Sequence, residues 1–257
     1  MSKGKSRFAG LEIGDPAPMQ PGSGAVMRDA AYYLAAALDR ELAGEHDKAL
    51  THYSAALGED PLCIEAWTRQ LWMLLYLDET PEASIWADKA LQSFPADPDI
   101  LSLKSLAQWR NGLREEARNL NDHALAATRG SANVWLTRGE MQLDADMKSA
   151  AACFRRAADS PGIPGMADLR AGDIYLRCGK FAEAAEHYRK ATCSIPESAW
   201  AWYGYGRAQR ALGKAREARN CFARAGNLAP RDERYRKAAK AKPGWFGRIR
   251  EWLRGGA

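Results

Sequence analysis

Small apolar positions set the register of this chain. Alanine returns at Ala49, Ala83, Ala117, Ala150, Ala184 and Ala218, at intervals of 34, 34, 33, 34 and 34 residues. A second alanine follows each by seven residues, at Ala56, Ala90, Ala124, Ala157, Ala191 and Ala225. Seven residues are two helical turns, so each pair lies on one helix face, where a neighbouring helix comes too close for a larger side chain. Four residues after the first alanine an aromatic recurs at Tyr53, Phe154, Tyr188 and Phe222. Five before it stand Gly44, Gly112, Gly179 and Gly213, and twelve after it Pro61, Pro95, Pro196 and Pro230. Glycine turns the chain between two helices and proline ends the second. Tyr33, Trp67 and Trp202 precede their alanine by sixteen residues and Trp135 precedes Ala150 by fifteen, which places the missing residue of that period in its turn.

Each period is therefore a pair of helices, and six pairs begin near Ala30, Ile64, Pro98, Ala132, Gly165 and Ala199. This pattern of large residue, glycine, alanine, aromatic, alanine and proline over 34 residues resembles the tetratricopeptide repeat family. The resemblance covers residues 30–232 and implies an all-α, right-handed superhelical solenoid with units 30–63, 64–97, 98–131, 132–164, 165–198 and 199–232. One helix pair cannot bury its apolar face, whereas stacked pairs share a continuous core. Ala87 and Asn121 stand at the aromatic position, Asp168 at the large one and Arg129 at the proline one, so less regular packing is expected in the second to fourth units. A break is expected at 160–165, where two prolines and two glycines oppose helix.

The ends read differently. Residues 1–29 form a glycine- and proline-rich tail, expected to be flexible, with Phe8, Leu11 and Ile13 as a short apolar cluster. Residues 233–257 form a basic C-terminal region. From Arg231 onward nine Lys or Arg face three Asp or Glu, a net of +6 in a chain that is +5 as a whole. A short helix there caps the array through Tyr235, Ala238 and Ala239, because a solenoid end must be covered. After Pro243 and Gly244, Trp245, Phe246, Ile249, Trp252 and Leu253 share one helical face and Arg248, Glu251 and Arg254 take much of the other. This basic amphipathic segment suits either a further cap on the array or contact with an anionic membrane or a partner.

No secretory leader or membrane-spanning run stands out, and the expected location is the cytoplasm, with peripheral contact at the inner face of the membrane through Trp245, Phe246, Arg248, Ile249, Trp252 and Leu253. The five cysteines are odd in number and dispersed, which fits reduced thiols. The alanine and arginine bias suits a bacterial source. None of the four histidines stands in a metal-binding pattern, and no phosphate-binding loop or nucleophile elbow is present, so no enzyme activity, metal or cofactor is expected. Nucleic acid is a poor fit, since the charge sits at one end rather than along the array.

In the family, the first helix of each unit lines a concave groove. Carried over by resemblance, the groove positions here include Trp72, Tyr76, Leu106, Trp109, Arg110, Leu136, Leu143, Leu169, Leu176, Arg177, Trp200, Tyr203, Arg207 and Arg210. The same mapping adds Glu140 and Asp173. The resemblance implies a non-catalytic scaffold or adaptor binding a peptide segment of a partner protein, with an assembly or secretion chaperone as the alternative and an unrecognised enzyme as a distant third. The Lys and Asn pair of the chaperone-binding members is absent.

Overall fold

The structure is a computed structural model that describes residues 28–127 and 130–240. These residues form thirteen α-helices: α1 (Ala30–Leu42), α2 (His46–Glu59), α3 (Ile64–Tyr76), α4 (Thr80–Ser93), α5 (Pro98–Arg110), α6 (Arg114–Ala127), α7 (Ala132–Gln142), α8 (Met147–Asp159), α9 (Met166–Arg177), α10 (Phe181–Ser194), α11 (Ala199–Ala211), α12 (Ala215–Leu228) and α13 (Glu233–Lys240). The chain divides into two compact units. One comprises Met1–Glu41 and Glu45–Met141, the other Leu42–Gly44 and Gln142–Ala257. The division falls at the end of α7, whereas the 160–165 segment, where a break was expected, is a turn inside the second unit. There Gly165 adopts φ +77°, and a Cβ on it would come within 2.6 Å of Ser194 Cβ.

All twelve register alanines are at most 2% exposed, which is why no larger residue stands at them. The recurring aromatics are buried beside them: Tyr53, Phe154, Tyr188 and Phe222 are each at most 1% exposed. The proline and the large aromatic of the following helix are joined by a hydrogen bond. The Trp67 indole N–H donates to the Pro61 carbonyl and that of Trp202 to the Pro196 carbonyl, both at 2.9 Å. Where the pattern departs, other contacts fill the space. Asn121, at an aromatic position, is fully buried and its amide donates to the Val134 carbonyl at 3.4 Å.

The turns inside each pair follow the same logic. Gly44, Gly112, Gly179 and Gly213 adopt φ between +72° and +89°, a region costly for side chains with a Cβ. Asp78 occupies the equivalent place in the second pair at φ +64°, and Asp is among the few residues that tolerate it. The fourth pair has Ala145 there and does not use this turn. Helix α7 is two residues shorter than α3, and Asp146 caps α8, accepting from the Lys148 and Ser149 N–H groups at 3.0 and 3.2 Å. The missing residue of that period thus falls at the end of its first helix rather than in its turn.

At the C-terminal end of the described chain, α13 lays Tyr235 against Ala199 and Ala225. Its ring centroid lies 4.8 Å from that of Tyr203, and the side chain is 1% exposed. Ala238 and Ala239 are half-buried.

Candidate peptide-binding site

The first helices of the second to sixth pairs carry the expected contact residues, with Leu143 just past the end of α7, and the two units treat them differently. In the first unit they bond to one another. The Trp72 indole N–H of α3 donates to Asn133 Oδ1 of α7 at 2.6 Å. From α5, Arg110 donates Nε and Nη2 to the two carboxylate oxygens of Glu140 at 2.9 and 2.7 Å, and Nη1 to the Leu75 carbonyl at 2.6 Å. The fork satisfies a carboxylate and a helix-terminal carbonyl together. Both charged side chains are nearly solvent-free, 7% and 3% exposed. Leu106 and Leu136 are fully buried, the Tyr76 ring lies 4.1 Å from that of His46, and Trp109 packs on Ala117 and Met141 with the Arg114 guanidinium 3.8 Å above its ring. These side chains fill the interior of the first unit.

In the second unit, Leu143, Leu169 and Trp200 are buried, while Leu176 and Tyr203 are half-buried. Arg177, Arg207 and Arg210 are exposed. Helices α9 and α11 touch. Arg207 sits 6.0 Å from the Tyr203 ring centroid, and Arg210 5.3 Å from that of Phe222. Half-exposed apolar surface edged by cations is therefore present on α9 and α11 and belongs to the residues expected from sequence. Trp245, Phe246, Arg248, Ile249, Trp252 and Leu253 lie outside the described residues.

Beneath this face is a polar arrangement that the register does not announce. The Tyr188 hydroxyl of α10 donates to Asp173 Oδ1 of α9 at 2.5 Å. Burial pushes the Asp173 carboxyl up to about 7, even though the Tyr188 hydrogen bond, the Arg207 guanidinium, the Trp200 indole and Arg170 all favour its charged form. The Tyr188 ring has room only because two neighbours lack a Cβ. One built on Gly172 would lie 2.9 Å from the ring, and one on Gly204 2.3 Å. Glycine inside a helix costs about 1 kcal/mol relative to alanine, so both serve close packing. Nearby, His187 Nδ1 and Asp168 Oδ1 are 2.8 Å apart, with the imidazole stacked 5.3 Å from the Tyr175 ring.

The first unit holds a counterpart. Tyr53 donates its hydroxyl to Glu41 at 2.5 Å, and the fully buried Glu41 also accepts from Arg69 at 3.2 Å. The signal available in sequence was the choice of tyrosine: a buried hydroxyl needs a partner, which phenylalanine at the same position does not. Among the described residues no group of three or more His, Cys, Asp or Glu is placed to hold a metal ion. No described helix is long and apolar enough to cross a membrane.

Antiparallel helix pairs that recur on a fixed small-residue register and lay their first helices side by side define a helical-repeat solenoid. Residues 175–242 match the family model described as tetratricopeptide repeat. The same register runs upstream through the earlier helix pairs, so the described chain is an all-helical repeat array that is similar to tetratricopeptide repeat proteins. Among solved structures, a tetratricopeptide repeat protein from Parabacteroides merdae is 18% identical, covering 85% of this chain and 86% of that one with a TM-score of 0.48. A thermophilic one from Thermus thermophilus is 19% identical, covering 81% and 98% with a TM-score of 0.44. YrrB, described as having an unusual peptide-binding site, is 18% identical, covering 74% and 98% with a TM-score of 0.42. No curated protein matches the chain.

Proposed function

We propose that the chain is a non-catalytic adaptor that binds a peptide segment of a partner protein on the α9 and α11 face of its second unit. The observation that supports this choice is the contrast between Arg110 and Arg207. The first is buried and doubly bonded to Glu140; the second is exposed beside a half-buried tyrosine. An exposed guanidinium beside an aromatic suits an acidic side chain or terminal carboxylate flanked by an apolar anchor. The location proposed is the cytoplasm, consistent with five free cysteines, and residues 245–253 are proposed to add a peripheral membrane contact through their tryptophans and arginines.

The test is affinity capture from source-cell lysate with the wild-type chain beside Arg207→Glu with Arg210→Glu, both first shown to be equally helical. Both residues are exposed, and the helicity check controls for the charge reversal beside Asp173 and Phe222. Proteins retained by the wild type and lost from the variant, then confirmed by calorimetry with the purified partner, are the expected result. Identical retention by both overturns the assignment of the site to this face.

A further inference from the structure

The strongest charge feature of the described chain lies away from the peptide face. From Lys214 to Lys240, α12, α13 and the turns beside them carry nine Lys or Arg against Glu217, Asp232 and Glu233, and all nine cations are exposed. Residues 1–213, in contrast, hold 24 Lys or Arg against 28 Asp or Glu. Packing imposes the exposure. Helix α12 turns Ala218, Cys221, Phe222 and Ala225 inward, which leaves Arg216, Arg219 and Arg224 on its outer side.

The acids neutralise little of this charge. Asp232 pairs with Arg234 at 2.6 Å and Glu233 with Lys237 at 2.8 Å. Lys214, Arg216, Arg224, Arg231 and Lys240 make no ion pair among the described residues. A folded helix pair that keeps this many cations in solvent accepts their mutual repulsion, and an anionic surface would relieve it.

We propose that the outer face of α12 and α13 is an electrostatic docking surface for anionic phospholipid. Nucleic acid fits less well because the aromatic side chains that could stack on bases, Phe222 and Tyr235, are turned inward. A bilayer asks for no pocket, only for several cations within a Debye length, about 8 Å at physiological salt, of its headgroups. The sequence that follows Lys240 has the composition of an interfacial segment, with Lys242, Trp245, Arg248, Ile249 and Trp252. The proposal rests on the membrane part of the reading above but assigns the electrostatic contact to the folded repeat.

The test is sedimentation of the full chain with vesicles of phosphatidylcholine alone or mixed with phosphatidylglycerol. Two variants accompany it: Arg216→Glu, Arg219→Glu, Arg224→Glu on the face, and Ile249→Asp, Trp252→Asp beyond it. Should the first lose helicity, Arg216→Gln with Arg224→Gln replaces it.

The expected result is binding only to the phosphatidylglycerol vesicles, reversed by salt. The face variant should weaken it at least about tenfold, since each cation near an anionic surface contributes roughly a factor of five. A salt-sensitive part should survive in the second variant. Undiminished binding by the face variant, with loss in the second, overturns the proposal and leaves the tail as the membrane contact. Absence of binding to either vesicle by the wild type overturns both. A duplex DNA probe that binds the wild type while phosphatidylglycerol vesicles do not would reassign the face to nucleic acid.

Discussion

A single hydroxyl separates two kinds of repeat interior in this chain. Where the recurring aromatic is phenylalanine, at Phe154 and Phe222, the ring has no hydroxyl to satisfy and packs against another ring, Tyr175 or Tyr203. Where it is tyrosine, at Tyr53 and Tyr188, the hydroxyl brings a carboxylate in with it, Glu41 in one unit and Asp173 in the other. Tyr188→Phe is expected to cost about 1 to 3 kcal/mol, because the buried acceptor is left without its donor. Urea denaturation measures it. Asp173 adds a pH dependence of definite sign. Its carboxyl titrates at about 7 in the folded protein and near 4 when unfolded, so the native state holds a proton that the unfolded chain releases. Stability should fall as pH rises from about 4 to 7. Asp173→Asn is expected to flatten that fall in melting scans across the range, and an unchanged slope would assign it to other groups. The carboxylates were not legible in sequence. They lie 12 and 15 residues before their tyrosines, on the preceding helix, so no fixed spacing marks them.

Helices and turns, by comparison, were largely legible, since their landmarks answer to backbone geometry. Glycine appears where φ is positive, alanine where helices meet, and proline where the second helix stops and its carbonyl takes an indole N–H. Gly179 isolates the first of these effects, because a Cβ there would meet nothing within 4 Å. Gly179→Ala should therefore cost about 1 to 2 kcal/mol from the left-handed conformation alone, read from the denaturation midpoint at constant slope. The shortened α7 was not legible. The fifteen residues from Trp135 to Ala150 put the loss between those two positions and suggested the turn, but spacing alone does not separate a shortened turn from the shortened helix end that is found, where Ala145 stands in place of the turn glycine.

Across the chain, six similar repeats do dissimilar work. The resemblance gave the first helices of the second to sixth pairs the same contact positions, but what stands at a position decides whether it stays exposed or closes on a neighbour. Arg110 and Glu140 are thirty residues apart and oppositely charged, and they close on each other; Arg207 stays exposed, although its charge reaches Asp173. Arg110→Ala is expected to destabilise the chain by about 3 to 5 kcal/mol, the usual loss when one member of a buried pair is removed. Chemical denaturation followed by circular dichroism measures it. A small effect would mean that Glu140 finds solvent or another donor. The interior of the first unit was thus readable as apolar and aromatic but not as self-satisfied, because long-range pairing between repeats leaves no periodic trace.

The slot between Gly172 and Gly204 ties two of these scales together. It is one aromatic ring thick, and the ring in it carries the hydroxyl that opposes the protonation burial imposes on Asp173. A methyl group at either glycine would tilt Tyr188, lengthen its bond to the carboxyl and admit water to it. A purely steric change would then be read out as a change in acidity, and the protein would report crowding in its helices through the pH at which it loses a proton.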